Sequence, residues 1–324
     1  MVIVKVPDSK DSFHRFSADL AGLPEVEEVH FDFDDVGFAT PGWMISIGAA
    51  LRQFKQDRPE VQRRKVLNFR HLSYAAHSGF FQFFGMDFGK KVAAANPNDR
   101  FIPISDMLVD VIKDEAIEQM EHHGDTIQRT SEELIGVLLQ ARDTPAYQAL
   151  AYAMREIIRN VVEHSDSTDL AYAAQYWPGN GHAEIAITDR GRGLASSLSS
   201  NPKIGRVDDD QALDLAVQAG VSSKTWRKQR SKSVWSNSGY GLYMVKGLCI
   251  ASGGSFSMAS GSAARTWTKK TTTSFPTQVT GTTVILKLNS DNLADIDSEL
   301  ARLRGEASGT KPSPASMSLN PRRD

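Results

Sequence analysis

The chain has 324 residues, 40% of them hydrophobic and 23% charged, ordinary values for a globular protein and enough sequence for about two domains. Lys and Arg total 37 against 39 Asp and Glu, a formal charge of −2, which excludes a globally basic nucleic-acid binder but not a local basic patch. The single cysteine, Cys249, excludes an intrachain disulfide and a cysteine metal cluster, and no apolar run approaches the roughly 18 residues of a membrane helix.

The opening MVIVKVPDSKDSFHRF lacks the charged-then-apolar order of a secretion signal, so a soluble, cytoplasmic protein is expected. Residues 1–104 alternate strand-like and helix-like stretches, which predicts a small α/β domain. Val2-Ile3-Val4-Lys5-Val6 and Val29-His30-Phe31-Asp32-Phe33 read as strands. After Thr40-Pro41-Gly42, the apolar run Trp43 to Leu51 fits a buried helix entered at a proline. Val66 to Phe69 reads as another short strand, and Phe80-Phe81-Gln82-Phe83-Phe84 as core or domain interface.

Residues 105–165 read as helical, with 105–144 as a connector. Met107, Leu108, Val111, Ile112 and Ala116 recur at helical spacing, and Gly124 breaks the run. Thr130-Ser131-Glu132-Glu133 has the form of a capping box that starts a helix before Leu134. Thr144-Pro145 starts the next helix, which carries Leu150, Met154, Ile157, Ile158, Val161 and Val162 to a core and ends near Ser165. Residues 145–304 form the second domain. Within it, Tyr172 to Trp177 and Ala183 to Thr188 flank the turn Pro178-Gly179-Asn180-Gly181. Leu242 to Ala251 reads as a helix ended by Gly253-Gly254, and Thr282 to Leu288 as a late strand. Residues 305–324 lack aromatics and are rich in Ser, Pro and Ala, the composition of a disordered tail.

Four motifs carry chemistry. In Arg155-Glu156-Ile157-Ile158-Arg159-Asn160, the spacing puts Glu156, Asn160 and His164 on one helix face, with Ile157, Ile158 and Val161 directed elsewhere. A carboxylate one turn from a carboxamide can orient a water and offer an oxygen to magnesium, which takes few protein ligands beside water and phosphate. Asp189-Arg190-Gly191-Arg192-Gly193 leaves a strand with a carboxylate able to accept from an exocyclic amine, beside glycines that permit close backbone approach. Ser238-Gly239-Tyr240-Gly241-Leu242 is a glycine-bearing loop opening a helix, a phosphate-binding arrangement. Gly281-Thr282-Thr283 enters a strand. Singly, each is matched as well by a solvated face or an ordinary turn.

Together and in this order they resemble the GHKL superfamily of gyrase-type topoisomerases, heat-shock chaperones, mismatch-repair ATPases, histidine kinases and anti-sigma serine kinases. EIIRN at 156–160 is similar to the N box, DRGRG at 189–193 to the first glycine box, SGYGLYM at 238–244 to the second, and GTT at 281–283 to the last. The helix text REIIRNVVEHS is closest to histidine kinases and anti-sigma kinases. The resemblance covers about residues 145–290. It implies a Bergerat-type α/β (α+β) sandwich with a mixed sheet covered by helices, and ATP and Mg2+ as cofactors. Asn160 would coordinate magnesium, and Glu156 would act as or support the general base. Asp189 would bind the adenine amine, helped through water by Thr282 or Thr283. Gly191 and Gly193 would shape the adenine pocket, and Gly239 and Gly241 would lie against the phosphates, with Leu242 opening the helix there. His164 would lie near the phosphate side or close the helix end. Asn237 stands where histidine kinases often carry a glycine, so the loop would be stiffer or Asn237 would contact phosphate.

The segment 221–238 reads as an ATP lid. It holds Lys224, Arg227, Lys228, Arg230 and Lys232 with no acidic residue, and Lys224 is the first choice for neutralising a triphosphate. Trp226 and Trp235 interleave with these cations, so nucleic acid is a lesser reading. VHFDFDDVGFATPGWMISIGAAL at 29–51 resembles a STAS segment, a domain that often pairs with GHKL kinases in bacterial partner switching. The usual Asp-Ser pair is replaced by Ala39-Thr40-Pro41, and Thr40 reads as a helix cap rather than a phosphoacceptor. His122 and His123, followed by Gly124, lack the acid and the spacing of a kinase's phosphoacceptor hairpin. The expected function is a GHKL-type ATP-binding signalling or regulatory switch that holds Mg-ATP under a mobile lid and hydrolyses it. A protein kinase acting on a separate Ser, Thr or His target, and a non-catalytic interaction protein retaining a nucleotide pocket, stay open. A protein partner is implied, a membrane is not, and the oligomeric state is left open, a dimer included.

Overall fold

The computed structural model describes residues 1–9, 13–61, 63–109, 123–140, 142, 144–222, 239–289, 292 and 296–308. Strands β1 (Val2–Lys5), β2 (Glu28–Asp32) and β3 (Arg63–Leu67) form a parallel sheet in that order, Val2 opposite Val29 and Val29 opposite Arg64. Parallel neighbours need crossovers, and α1 (Phe16–Ala21) and α2 (Pro41–Asp57) supply them. Thr40 caps α2, its hydroxyl accepting from the Trp43 N–H, and Pro41 takes the first turn as expected. The short helices α3 (Ser73–His77) and α4 (Phe80–Phe83) bring Phe80 and Phe81 against Phe33, ring centroids 6.1 and 6.0 Å away, in the core of this half.

The second sheet has five strands: β4 (Phe101–Leu108), β5 (Asp169–Trp177), β6 (His182–Asp189), β7 (Ser255–Thr268) and β8 (Thr272–Asn289), ordered β4-β5-β6-β8-β7. Every pairing in it is antiparallel, so the expected mixed sheet is corrected. The turn at 178–181 joins β5 to β6, and a second hairpin joins β7 to β8; strands linked so tightly can pair only antiparallel.

Each face of this sheet is covered. On one lie α5 (His123–Leu139), α6 (Pro145–His164), α7 (Gly193–Ser199), α8 (Asp209–Ala216), α9 (Gly241–Ala251) and α10 (Ile296–Ser308). Leu150, Met154, Ile158, Val245 and Leu248 pack there on Leu170, Ile185 and Leu286. The other face presents Ala171, Ala173, Ala186 and Ile285 to α2 and shares one core with the amino-terminal half. Burial on both sides explains why β5 and β6 read as near-continuous apolar runs. The alanines let α2 sit close: a Cβ at Gly42 would fall 2.6 Å from Glu184 Oε1 and 2.8 Å from Ile285 Cγ2. No helix among the described residues is long and apolar enough to cross a membrane.

Several elements differ from expectation. Met107 and Leu108 belong to β4, paired with Leu170 and Asp169, because strand pairing overrides a helical spacing of only a few residues; Val111, Ile112 and Ala116 lie outside the described residues. Thr130 starts no helix. It lies within α5, where its hydroxyl donates to the Thr126 carbonyl at 3.1 Å and that of Ser131 to Ile127 at 2.6 Å, satisfying them without a cap. The late strand begins at Thr272 rather than Thr282 and pairs with β7, which the sequence reading passed over. Helix α10 runs to Ser308, past the expected start of the tail, and residues 309–324 lie outside the described residues.

Glu184 of β6 ties the two halves together. Its buried carboxylate accepts from the Gly42 N–H at 2.6 Å and the Thr40 hydroxyl at 2.8 Å, and Lys287 lies 3.3 Å away. Glu184→Ala leaves those donors without their acceptor and is expected to cost about 2–4 kcal/mol. Urea unfolding measures it, and a loss below about 0.5 kcal/mol, the usual range for surface substitutions, would contradict the role.

Candidate functional site

Helix α6 begins at the Thr144 cap, whose hydroxyl accepts from the Tyr147 N–H at 3.1 Å, and runs across the sheet so that Glu156 and Asn160 reach a cavity above the carboxyl end of β6. The cavity is open on one side and takes in about 930 Å³ with the solvent at its mouth included. Of the residues singled out from sequence, Glu156, Asn160, Asp189, Gly193, Gly239, Gly241, Leu242 and Thr282 line it together. They come from α6, the end of β6, the start of α7, the start of α9 and β8, so residues far apart in sequence meet at one place.

The others fall differently. Gly191 is not part of the wall. It lies against Ser165, whose carbonyl oxygen would be 2.2 Å from an added Cβ, and its N–H donates to Asp189 Oδ1 at 2.7 Å. Thr283 points to the opposite face of the sheet, its hydroxyl 2.8 Å from that of Thr188, as alternation along a strand requires. His164 ends α6, but its side chain, like Lys224 and Asn237, lies outside the described residues. Ile157 and Val161, expected to point away, line the cavity too, because the apolar stripe of a helix is wider than a single row of side chains. Sequence reading missed the short helices α7 and α8, which add Leu194, Ser197, Leu198 and Ala216. Leu194 and Leu198, four apart directly after Gly193, were the available signal.

Asp189 is 4% exposed and faces apolar neighbours that include Ile187, Leu194 and Val284. Burial pushes its carboxyl up to about 7, the Gly191 and Thr282 backbone N–H groups pull it back, and the Asp169 charge adds to the rise. Arg190, next in the chain, does not neutralise it. That guanidinium turns to Asp169, with Nε 2.7 and 3.1 Å from the two carboxylate oxygens. Gly281 fits beneath this turn with φ +84°, and an added Cβ would lie 2.1 Å from the Asp189 carbonyl oxygen.

Glu156 is buried and paired to Arg159 one turn on, Nη2 to Oε1 3.0 Å. Arg155 and Arg159 are both 1% exposed; the Arg155 guanidinium lies over the Tyr152 ring, 4.9 Å from its centroid, and burial lowers its pKa. Helix α9 starts on the cavity wall at Gly241, where a Cβ would meet Glu156 Cβ at 2.7 Å, and Tyr240 at its N-cap supplies no side-chain hydrogen bond. A helix start of this kind favours an anion. The described wall carries two carboxylates and neither Lys nor Arg. Among the described residues no group of three or more His, Cys, Asp or Glu is placed to hold a metal ion. Asn160, exposed at the cavity, suits a divalent ion whose remaining ligands are water and phosphate. No family model, curated protein or solved structure matches the chain.

Proposed function

We propose that this cavity binds ATP with magnesium, that the second half is a Bergerat-type domain of the GHKL kind, and that the chain is an ATP-binding regulatory protein with a STAS-like amino-terminal half. The observation that carries the reading is Asp189: a carboxylate 4% exposed in a mostly apolar wall, with no cation beside it among the described residues. The Gly191 and Thr282 N–H groups offset part of the cost of burying it, and the exocyclic amine of adenine, a neutral donor, would offset more. Thr282, on the same wall, would add a water-mediated contact to the base. The triphosphate would run toward the start of α9, where Gly241 and Leu242 offer backbone N–H groups with the helix dipole behind them.

Asn160 would hold the magnesium ion, which when bound offsets phosphate charge. Glu156, held by Arg159, would orient and deprotonate the attacking water. With two carboxylates and no basic residue on the described wall, the remaining positive charge would come from the lid segment, Lys224 first. The regulatory part of the reading is supported by a run of ion pairs. Arg52 of α2 bonds Asp106 at 2.7 Å and lies 3.6 Å from Asp169, which grips Arg190 beside Asp189. The amino-terminal half thus has a physical line to the adenine end of the cavity.

Glu156→Gln is expected to lower phosphate release by about 100-fold, the usual worth of a general base, with ATP affinity changed by less than about threefold. Turnover equal to wild type would leave ATP binding without Glu156 as base, the reading of a non-catalytic pocket. Transfer of label from ATP to a second protein would instead assign a kinase.

A further inference from the structure

Behind the wall that carries Asp189 lies a buried hydroxyl, that of Ser260. This residue of β7 stands opposite Thr282 on β8, so both side chains lie on the cavity's side of the sheet, and Ser260 is 1% exposed. Its hydroxyl accepts from the Leu194 N–H at 2.9 Å and donates to the Gly281 carbonyl at 2.8 Å. Ser260 thereby does for α7 what a cap residue does for other helices. Arg192, at the N-cap, supplies no side-chain bond, and the first N–H groups of a helix have no partner within it. The approach is close, since a Cβ at Gly193 would lie 2.9 Å from Ser260 Oγ.

The bond to Gly281 exists because the β7–β8 ladder slips at this point. Ser260 pairs with Thr282 and Gly261 with Val279, so Thr280 and Gly281 have no counterpart on β7 and β8 bulges. The Gly281 carbonyl and the Thr282 N–H belong to one planar peptide. Ser260 holds its oxygen, and its N–H donates to the Asp189 carboxyl. Fixing one end of a rigid unit aims the other. A hydrogen-bonded line thus runs from the Leu194 N–H through the Ser260 hydroxyl and the 281–282 peptide to Asp189, and groups in such a line strengthen one another. Two residues further along β7, Asp209 of α8 accepts from the Ser262 N–H and hydroxyl, both at 2.8 Å, and fastens the far side of the slip.

We propose that Ser260 is the positioning residue of the base pocket: through the 281–282 peptide it fixes Asp189, through Leu194 it fixes α7, and the spacing of the two sets the choice of adenine over other bases. The choice of base rests on the ATP reading of the cavity; the hydrogen-bonded line does not.

The test uses the full chain and compares Ser260→Ala with Ser252→Ala. Ser252 is a matched control, equally buried, whose hydroxyl donates to the Cys249 carbonyl at 2.8 Å and accepts from the Asn289 N–H at 3.3 Å, away from the cavity. Circular dichroism establishes that both variants fold. Without nucleotide, hydrogen exchange read by NMR is expected to show the Leu194 amide protected in the wild type. Its exchange should quicken about tenfold in Ser260→Ala and stay unchanged in Ser252→Ala. With magnesium present, calorimetry is expected to give Ser260→Ala an ATP affinity lower by about tenfold and a GTP affinity within about twofold of wild type. The preference for ATP then shrinks, whereas Ser252→Ala keeps it. A Leu194 amide that is unprotected in the wild type overturns the line, whether or not the variant folds. A folded Ser260→Ala that leaves Leu194 exchange unchanged, or that keeps the wild-type preference for ATP, overturns the role of Ser260. A chain that binds no ATP, with Leu194 exchange as expected, defeats the adenine reading and the choice of base with it, and supports the hydrogen-bonded line.

Discussion

Asp189→Asn is expected to lose ATP affinity by about 10- to 100-fold while making the nucleotide-free protein more stable at pH 8. The loss follows because an amide accepts more weakly than a carboxylate and presents its own donors to the adenine amine. The gain follows from linkage. The carboxyl titrates near 3.8 unfolded and near 7 folded, so between those values the native state binds the extra proton. That contribution to stability is whole below pH 4 and is lost as pH rises through 7. The Asn variant has no such proton to lose, so its melting curve should match wild type near pH 4 and lie above it at pH 8, by about 1–3 kcal/mol. The same titration makes ATP binding to the wild type weaken as pH falls below 7, since the acceptor form is the ionised one. Thermal unfolding and calorimetric titration across pH 5 to 8, on both proteins, read both effects. A variant that binds ATP as well as wild type, or that is less stable at pH 8, would contradict the role of Asp189.

Gly281→Ala has the second large effect. The residue has φ +84°, a conformation that costs any L side chain about 1–2 kcal/mol. Its Cβ would also fall 2.1 Å from the Asp189 carbonyl oxygen and 2.8 Å from Arg190 Cα. Both obstacles are backbone or next to it, so neither can swing aside, and β8 must separate from the end of β6. A loss of about 3 kcal/mol, or roughly 5–10 °C in Tm, is expected, with ATP affinity falling as Thr282 and Asp189 move apart. Gly179→Ala is the control. It sits in the β5–β6 turn, where an added Cβ meets nothing within 4 Å, and it should change Tm by less than about 2 °C. A Gly281→Ala protein as stable as the control would show that β8 and the Asp189 turn are not held so closely.

Residues 156, 160, 189, 239, 241 and 282 could be singled out from sequence because each belongs to a short motif, and the structure brings the six to one cavity. Thr40 and Thr144 were legible as caps for the same reason: a hydroxyl before a proline at a helix start has a local meaning. What the sequence did not reveal was decided by partners far away. Met107 and Leu108 follow a helical spacing, yet Leu170 and Asp169 pair with them as a strand. β7 lacks the alternation of a half-buried strand because its partner β8 and the helices bury it unevenly. Arg155 and Arg159, to which no role was assigned from sequence, are buried, and Arg159 holds Glu156.

Packing on both faces also ties α2 to the sheet that carries the cavity. The Asp189 cavity and α2 use opposite sides of the sheet; Glu184 fastens α2 to β6, the strand that ends in Asp189, and Arg52 fastens it to β5 through Asp169, the partner of Arg190. A shift of α2 cannot leave those strands untouched, because interdigitated cores move between discrete packings rather than deforming smoothly.

Competition between ATP and GTP for the full chain, measured by calorimetry in the presence of magnesium, tests the account most directly. The two triphosphates are alike, but at position 6 of the purine ATP carries an amine and GTP a carbonyl oxygen, so in the same pose only ATP donates to Asp189 from there. Single-site ATP binding with a preference of about 100-fold over GTP is the predicted result. Equal affinities, or no saturable binding of either nucleotide, would contradict an adenine site at Asp189.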